Sequence, residues 1–406
     1  MIALPPLGPR RIALLDPGDF TPPYDVALAR GLIAQGCELT LIGQAGNRDA
    51  IPAAFRREHF YGRLVHPLFR QLPRPAARFA KGVCHGIDMV RLGRILDAFR
   101  AEILHCQWSP LPVVDRAAFR WFRRRMPLVL TLHDSKPYNG AGSALMRAGY
   151  PGLVHEVDAV IVHTTDAARR VVATGLESGR IHHVPHGLIN TAATSGRVSR
   201  AGSRLVLLQF GKIKPYKGVD VLLEALALVP PALRARLDVR IVGKPYLDTA
   251  PLERIVATNG LQDTVRFRFE FVDQIELDRL LGETDAILLP YREIDASGVA
   301  MTAIARGLPV LASAIEGFEE LFEGGQGARL VPPGRPDKLA DVLRAWAAAP
   351  EMLDSLAIAM RQRRAAVPSW DEIARRTLAV YAQARARWTA GHGPATARVE
   401  MAEQQP

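Results

Sequence analysis

The chain is poor in cysteine. Its 406 residues hold three, Cys37, Cys84 and Cys106, spaced too widely for a paired motif, so neither a disulfide framework nor a zinc site is indicated. Long apolar runs are missing too. No window reaches the roughly 18 uninterrupted apolar residues of a membrane span, and Met1 to Gly8 is too short for a signal peptide, so a cytoplasmic protein is expected. The turn after the first apolar run lacks Gly-x-Gly-x-x-Gly and no Walker-type loop occurs elsewhere, which argues against a nicotinamide, flavin or P-loop enzyme. Acid is the charge in deficit. Lys plus Arg minus Asp plus Glu is 52 − 41 = +11, a balance that favours nucleic acid, an anionic membrane surface or a phosphorylated substrate as partner.

What is present is an α/β rhythm. Arg11 to Leu15 reads as a buried strand, Asp16 to Tyr24 as the loop at its carboxyl end, Asp25 to Gln35 as a helix and Leu39 to Ile42 as a second strand. Ile103–His105, Leu128–Leu132, Ala159–His163 and Ile181–Gly187 continue the pattern. Asn190 to Gly202 then loses its apolar residues and reads as a linker. Six further apolar runs follow, starting at Leu205, Val239, Val265, Ala286, Pro309 and Ala328. The fold class expected is therefore two doubly wound, Rossmann-like domains, 1–195 and 200–370, with a cleft between their strand ends. A helix over 370–390 is expected to pack back on the first domain, and 391–406 to form a disordered tail.

Two stretches carry chemistry. Phe-Gly-Lys-Ile-Lys-Pro-Tyr-Lys-Gly at 210–218 sets Lys212 and Lys217 on a strand-to-helix loop, where a helix start and full charges suit a phosphate, although a solvated basic loop would look the same. Pro290 to Pro309 contains Ser297–Gly298, after which the N–H groups of Gly298, Val299 and Ala300 could cradle a diphosphate. Ser297 could instead be a plain helix cap. Glu293 and Asp295 stand just before it, able to accept hydrogen bonds from sugar hydroxyls. His105 and His133 each close a strand, a position that either faces a ligand or holds a satisfied structural histidine. Phe55 to Lys81 mixes aromatics with Arg56, Arg57, Arg63, Arg70, Arg74, Arg78 and Lys81, a texture that suits an anionic membrane interface, single-stranded nucleic acid or an ordinary solvated insertion. Arg120, Arg123, Arg124 and Arg125 form a second basic cluster.

The lysine loop, Ile-Val-Gly-Lys at 241–244, Asp-Ala-Ile-Leu-Leu-Pro at 285–290, Ala-Arg-Gly-Leu-Pro-Val-Leu-Ala-Ser at 305–313 and Ser-Trp-Asp at 369–371 together resemble the family 4 glycosyltransferases of the GT-B fold. The resemblance is strong over 200–385 and weaker before, where Pro185-His186-Gly187 is similar to the family's exit loop. It implies transfer of a hexose from a nucleotide-diphosphate sugar, with retention and without a required metal or other cofactor. Lys212 and Lys217, with Ser297, Gly298 and Val299, would then hold the donor diphosphate, and His105, His133 and Glu293 become the catalytic candidates. The family's paired glutamates fall on Ile294 and Thr302 here, so Asp295 and Thr302 are the candidates for the donor sugar or ribose. The acceptor expected is a glycan or polyprenyl-diphosphate-linked sugar at the inner membrane surface, with Arg70, Arg74, Arg78 and Lys81 facing the acceptor or membrane and no nucleic acid involved. A GT-B hydrolase or epimerase of sugar nucleotides is the alternative, and a nucleic-acid-binding protein using the basic half ranks below it.

Overall fold

A computed structural model describes residues 10–44, 56–60, 73–135, 149–189 and 204–392. The chain divides into two compact units, one made of Met1–Gly187 and Ser369–Pro406, the other of Leu188–Pro368. The linker reading at 190–202 and Arg70 lie outside the described residues, as does the tail from 393 on.

In the first unit seven strands run parallel in the order β3-β2-β1-β4-β5-β6-β7. They are β1 (Arg11–Leu15), β2 (Glu38–Gly43), β3 (Arg57–His59), β4 (Ile103–Cys106), β5 (Leu128–Leu132), β6 (Ala159–Val162) and β7 (Ile181–His183). The unbroken apolar texture of these runs has a direct cause. Successive strand residues point to opposite faces, and both faces of β1 are covered. Ala13 and Leu15 join a core with Phe119, Phe122 and Leu128, while Ile12 and Leu14 join another with Leu28, Leu32 and Tyr381.

The second core reaches into the last helix, Trp370–His392, which lies on the helix Pro22–Ala34. Their approach is close because residue 31 is glycine. A Cβ there would sit 2.6 Å from the Trp370 carbonyl oxygen and 3.0 Å from Ala374 Cβ.

The second unit repeats the plan with six parallel strands in the order β10-β9-β8-β11-β12-β13: β8 (Leu205–Phe210), β9 (Leu237–Val242), β10 (Val265–Arg268), β11 (Ala286–Leu289), β12 (Val310–Ser313) and β13 (Ala328–Val331). Leu207 faces a core containing Trp346 and Leu222, and Leu208 faces one containing Phe318 and Met301.

Each order reverses once. β1 is followed in the chain by β2 on one side, yet β4 lies on its other side, and β8 stands likewise between β9 and β11. At such a switch point the loops leaving adjacent strands turn apart and leave a crevice beyond the carboxyl ends.

Gly31→Leu should destabilise the first unit by about 1–3 kcal/mol, because backbone rather than a movable side chain occupies the space. Gly86→Ala, on the helix Arg74–Phe99 with nothing within 4 Å of the added carbon, should be neutral or stabilising by up to about 1 kcal/mol. Urea unfolding of the two variants separates these outcomes.

Candidate active site

The switch point of the second unit brings both chemistry-bearing stretches together, since the lysine loop leaves β8 and the Pro290–Ser297 loop leaves β11. Gly218 is where they touch. It has φ +63 and any Cβ would collide with the Pro290 carbonyl oxygen, so only glycine lets the loops close to this distance. Arg292 fastens the same junction, its N–H donating to the Tyr216 carbonyl at 2.7 Å and its guanidinium pairing with Asp220 at 2.6 Å.

Lys217 is driven inward by this arrangement and is 5% exposed. Its Nζ donates to the Phe210 carbonyl at 3.1 Å and lies 5.2 Å from the centre of the Tyr291 ring. Burial, and then the charges of Lys214 and Lys212, pull its pKa down to about 7. A buried ammonium so placed is stabilised by any anion that enters. Lys212 is exposed on the same loop.

From β11 the chain enters the helix Gly298–Arg306, capped by Ser297, whose Oγ accepts the Ala300 N–H at 3.2 Å. Both readings of Ser297–Gly298 are compatible here, with one correction. The Ala300 N–H is taken by the cap, which leaves Gly298 and Val299 as the amides a helix start offers to an anion. Glu293 is half-buried and Asp295 buried on the loop just before them.

The first unit's switch point holds a chain of hydrogen bonds between buried histidines. His163 Nδ1 can only donate to the Val184 carbonyl, at 2.9 Å, and burial holds its pKa down to about 3, so its Nε2 accepts. His133 Nδ1 must then donate to it, at 3.2 Å. Burial first, and then neighbouring histidines, keep His133 neutral as well. The Gln107 amide lies 2.8 Å from His133 Nε2 and 3.3 Å from His105 Nε2. Neutral rings require its N–H end toward His133. His105 completes the chain, 2.7 Å from Thr131 Oγ1 and 2.6 Å from the Tyr381 hydroxyl.

Sequence comparison decides the family. Residues 204–348 match the profile for glycosyl transferases group 1, and residues 26–189 match that for glycosyltransferase family 4. A D-inositol 3-phosphate glycosyltransferase of Geodermatophilus obscurus is 32% identical over 70% of this chain and 66% of its own length. The chain is a family 4, group 1 glycosyltransferase. A D-inositol 3-phosphate glycosyltransferase of Streptomyces griseus is 27% identical over 91% of this chain and 86% of its own. Among solved structures, sucrose-phosphate synthase from Thermosynechococcus elongatus superposes with a TM-score of 0.73 at 19% identity, over 92% of this chain and 98% of that one. HepE of Anabaena, in complex with UDP-glucose, gives 0.68 at 18%, over 91% and 98%. At such identities the likeness establishes the fold, which is GT-B.

Against this fold several expected site residues of the glycosyltransferase change meaning. Thr302 is 1% exposed and its hydroxyl donates to the Gly298 carbonyl at 2.9 Å, so it is turned into its own helix and does not offer a ribose contact. His105 is fully buried, with both ring nitrogens engaged within the first unit, and it is a core residue rather than a catalytic one. His133 is 8% exposed with both nitrogens bonded, so it meets a substrate only by exchanging one partner.

Part of the basic cluster is neutralised. Arg120 pairs with Glu156 at 2.5 Å, Arg123 with Asp158 at 2.8 Å and Arg125 with Asp97 at 2.6 Å. Missed in the sequence were Gln107, Trp108, His163 and Tyr291. The first two follow a strand-end histidine beside the reversal of strand order, which was the available signal.

His105→Ala should cost about 1–3 kcal/mol of stability by leaving Tyr381 and Thr131 without their partner. Turnover per folded molecule should change little, and a fall in turnover at unchanged melting temperature would contradict the core assignment. Nitrogen-15 shifts at neutral pH should report His133 and His163 as uncharged, protonated on Nδ1.

Proposed function

We propose that the glycosyltransferase moves a hexose from a nucleotide-diphosphate sugar, held by its second unit, to a hydroxyl of a glycan or polyprenyl-diphosphate-linked acceptor, with retention, in cell-surface or exopolysaccharide assembly. The observation that carries the reading is Lys217, a lysine buried at a sheet switch point beside a capped helix start. Its Nζ uses one carbonyl, and the diphosphate of a leaving nucleotide supplies the anion that such a group lacks. UDP-glucose, the ligand of HepE, is the first donor to try.

In this reading Lys212, Lys217 and the Gly298 and Val299 amides stabilise the charge that grows on the diphosphate as the bond from the anomeric carbon to the leaving oxygen breaks. The acceptor oxygen bonds the anomeric carbon on the same face, and its proton passes to the departing phosphate oxygen. Glu293 and Asp295 accept hydrogen bonds from hydroxyls of the donor sugar.

Membrane docking belongs to the same proposal. Arg74, Arg78 and Lys81 recur at i, i+4 and i+7 along the helix Arg74–Phe99. Farther along it, Val83, Ile87 and Val90 are 48%, 62% and 67% exposed, with Arg91 and Arg94 also exposed. Val83, Ile87 and Val90 share a face with Arg94, with Arg91 on its flank and Arg74, Arg78 and Lys81 about half a turn away. An exposed apolar face flanked by cations suits the anionic cytoplasmic leaflet, where each cation contributes about 1 kcal/mol, screened by salt. Co-sedimentation with anionic vesicles should weaken with salt and fall on changing Ile87, or Arg91 and Arg94, to Glu. Equal sedimentation with neutral vesicles would remove this part.

Lys217→Ala and Lys212→Ala should each lower kcat/KM by the equivalent of about 2–4 kcal/mol. Near-normal turnover in both would overturn the diphosphate assignment. A free-enzyme pKa of about 7 means that above pH 7 the amine must take up a proton to bind diphosphate. UDP affinity should then fall as pH rises, by at most about tenfold per unit, and Lys217→Met should flatten that dependence in calorimetric titrations.

A further inference from the structure

The two switch points differ in chemistry. In the first unit the framing loops, Asp16–Tyr24 after β1 and Gln107–Asp115 after β4, contain no lysine or arginine. Their carboxyl groups are Asp16, buried with a pKa that burial raises to about 6, Asp115, fully buried and bonded to His85, Ser109 and the Leu111 N–H, and the half-buried Asp19, and aromatic rings stand beside them. Phe20 is 43% exposed, and its ring centre lies 5.5 Å from that of Trp108, which stacks on His133 at 5.3 Å and 15°.

This surface is held in place. The Trp108 indole N–H donates to Thr21 Oγ1 at 3.0 Å, and the Thr21 N–H donates to the buried Asp16 carboxylate at 2.9 Å. Asp19, half-buried with φ +46, accepts the Gln44 N–H at 3.2 Å beside the same loop. At the end of β5, the charge of Arg170 is answered by Asp166, and its Nε donates to Ser135 Oγ at 2.6 Å.

Aromatic faces beside carboxylates fit one class of molecule. A pyranose ring lays its C–H-bearing face on an aromatic ring, while its hydroxyls donate to carboxylate oxygens. A phosphate on that ring would meet the Asp19 carboxylate, and neither loop contributes a lysine or arginine to offset it.

We propose that the crevice between the loops after β1 and β4 is the acceptor subsite, and that it takes an uncharged sugar ring stacked on Phe20 and Trp108 in preference to a ring bearing a phosphate. This rests on the reading of the chain as a nucleotide-sugar transferase. It separates this chain from relatives named for D-inositol 3-phosphate, and it leaves room for a lipid diphosphate farther along the acceptor, away from the ring that receives the new bond.

The test uses the full chain with UDP-glucose or GDP-mannose as donor and four acceptor probes: methyl α-glucoside, methyl α-mannoside, mannose 6-phosphate and inositol 3-phosphate. Saturation-transfer NMR and Trp fluorescence should show the neutral glycosides binding more tightly than either phosphate. Phe20→Ala should raise the neutral acceptor's KM about tenfold, the scale of losing one aromatic contact and its buried area. Circular dichroism and an unchanged melting temperature of the first unit's transition report that the variant is folded. Asp19→Lys should shift preference toward the phosphorylated probes. Tighter binding of either phosphate by the unaltered chain, or an unchanged acceptor KM in folded Phe20→Ala, would overturn the proposal and leave the transferase reading standing. Failure of the unaltered chain to bind or turn over any nucleotide sugar would overturn both.

Discussion

Parallel strands can be joined only by crossovers that carry the chain over one face of the sheet, and a sheet covered on both faces must therefore change direction somewhere along its width. That single constraint organises the chemistry of both units. Where β1 meets β4 and where β8 meets β11, the chain order reverses and a crevice opens beyond the strand ends, bridged by Gly218 against Pro290 in one unit and by Trp108 against Thr21 in the other. Lys217, an ammonium that is costly to bury, stands in the crevice of the second unit.

Lys217 illustrates the cost and its compensation. Removing an ammonium from water is strongly unfavourable, and proteins commonly answer by releasing the proton. With the Phe210 carbonyl and the Tyr291 ring beside it and two like charges on its own loop, Lys217 sits near the boundary between its charged and neutral forms. An anion moves it to the charged side. The glycine contact at Gly218 is part of the same device, since a wider separation of the two loops would let water take the place of Pro290 and the aromatic ring.

The strands were legible because burial on both faces writes an unbroken apolar run, and β8, β9 and β11 to β13 stand where Leu205, Val239, Ala286, Pro309 and Ala328 announced them, within a few residues. The lysine loop and the Ser297 turn were legible because each follows a strand and opens a helix. What escaped the sequence depends on partners far away in it. Thr302 reads as a polar residue at a family site, yet its hydroxyl is spent on a carbonyl one turn back. His105 and His133 close their strands alike, and only Tyr381, 276 residues distant from His105, marks the first as core. The arginines near 120 read as a patch until Asp97, Glu156 and Asp158 arrive from other elements.

The same fold plan, used twice, has been given opposite chemistry. The crevice of the second unit offers lysines and free helix amides, groups that favour negative charge. The crevice of the first offers Asp19, Phe20 and Trp108 over a buried Asp16 whose pKa burial raises to about 6, backed by histidines that burial keeps uncharged. Among the described residues, the loops after β1 and β4 bring no lysine or arginine to the first crevice. The +11 charge of the whole chain thus hides a local difference between the two crevices that only the strand order brings into view.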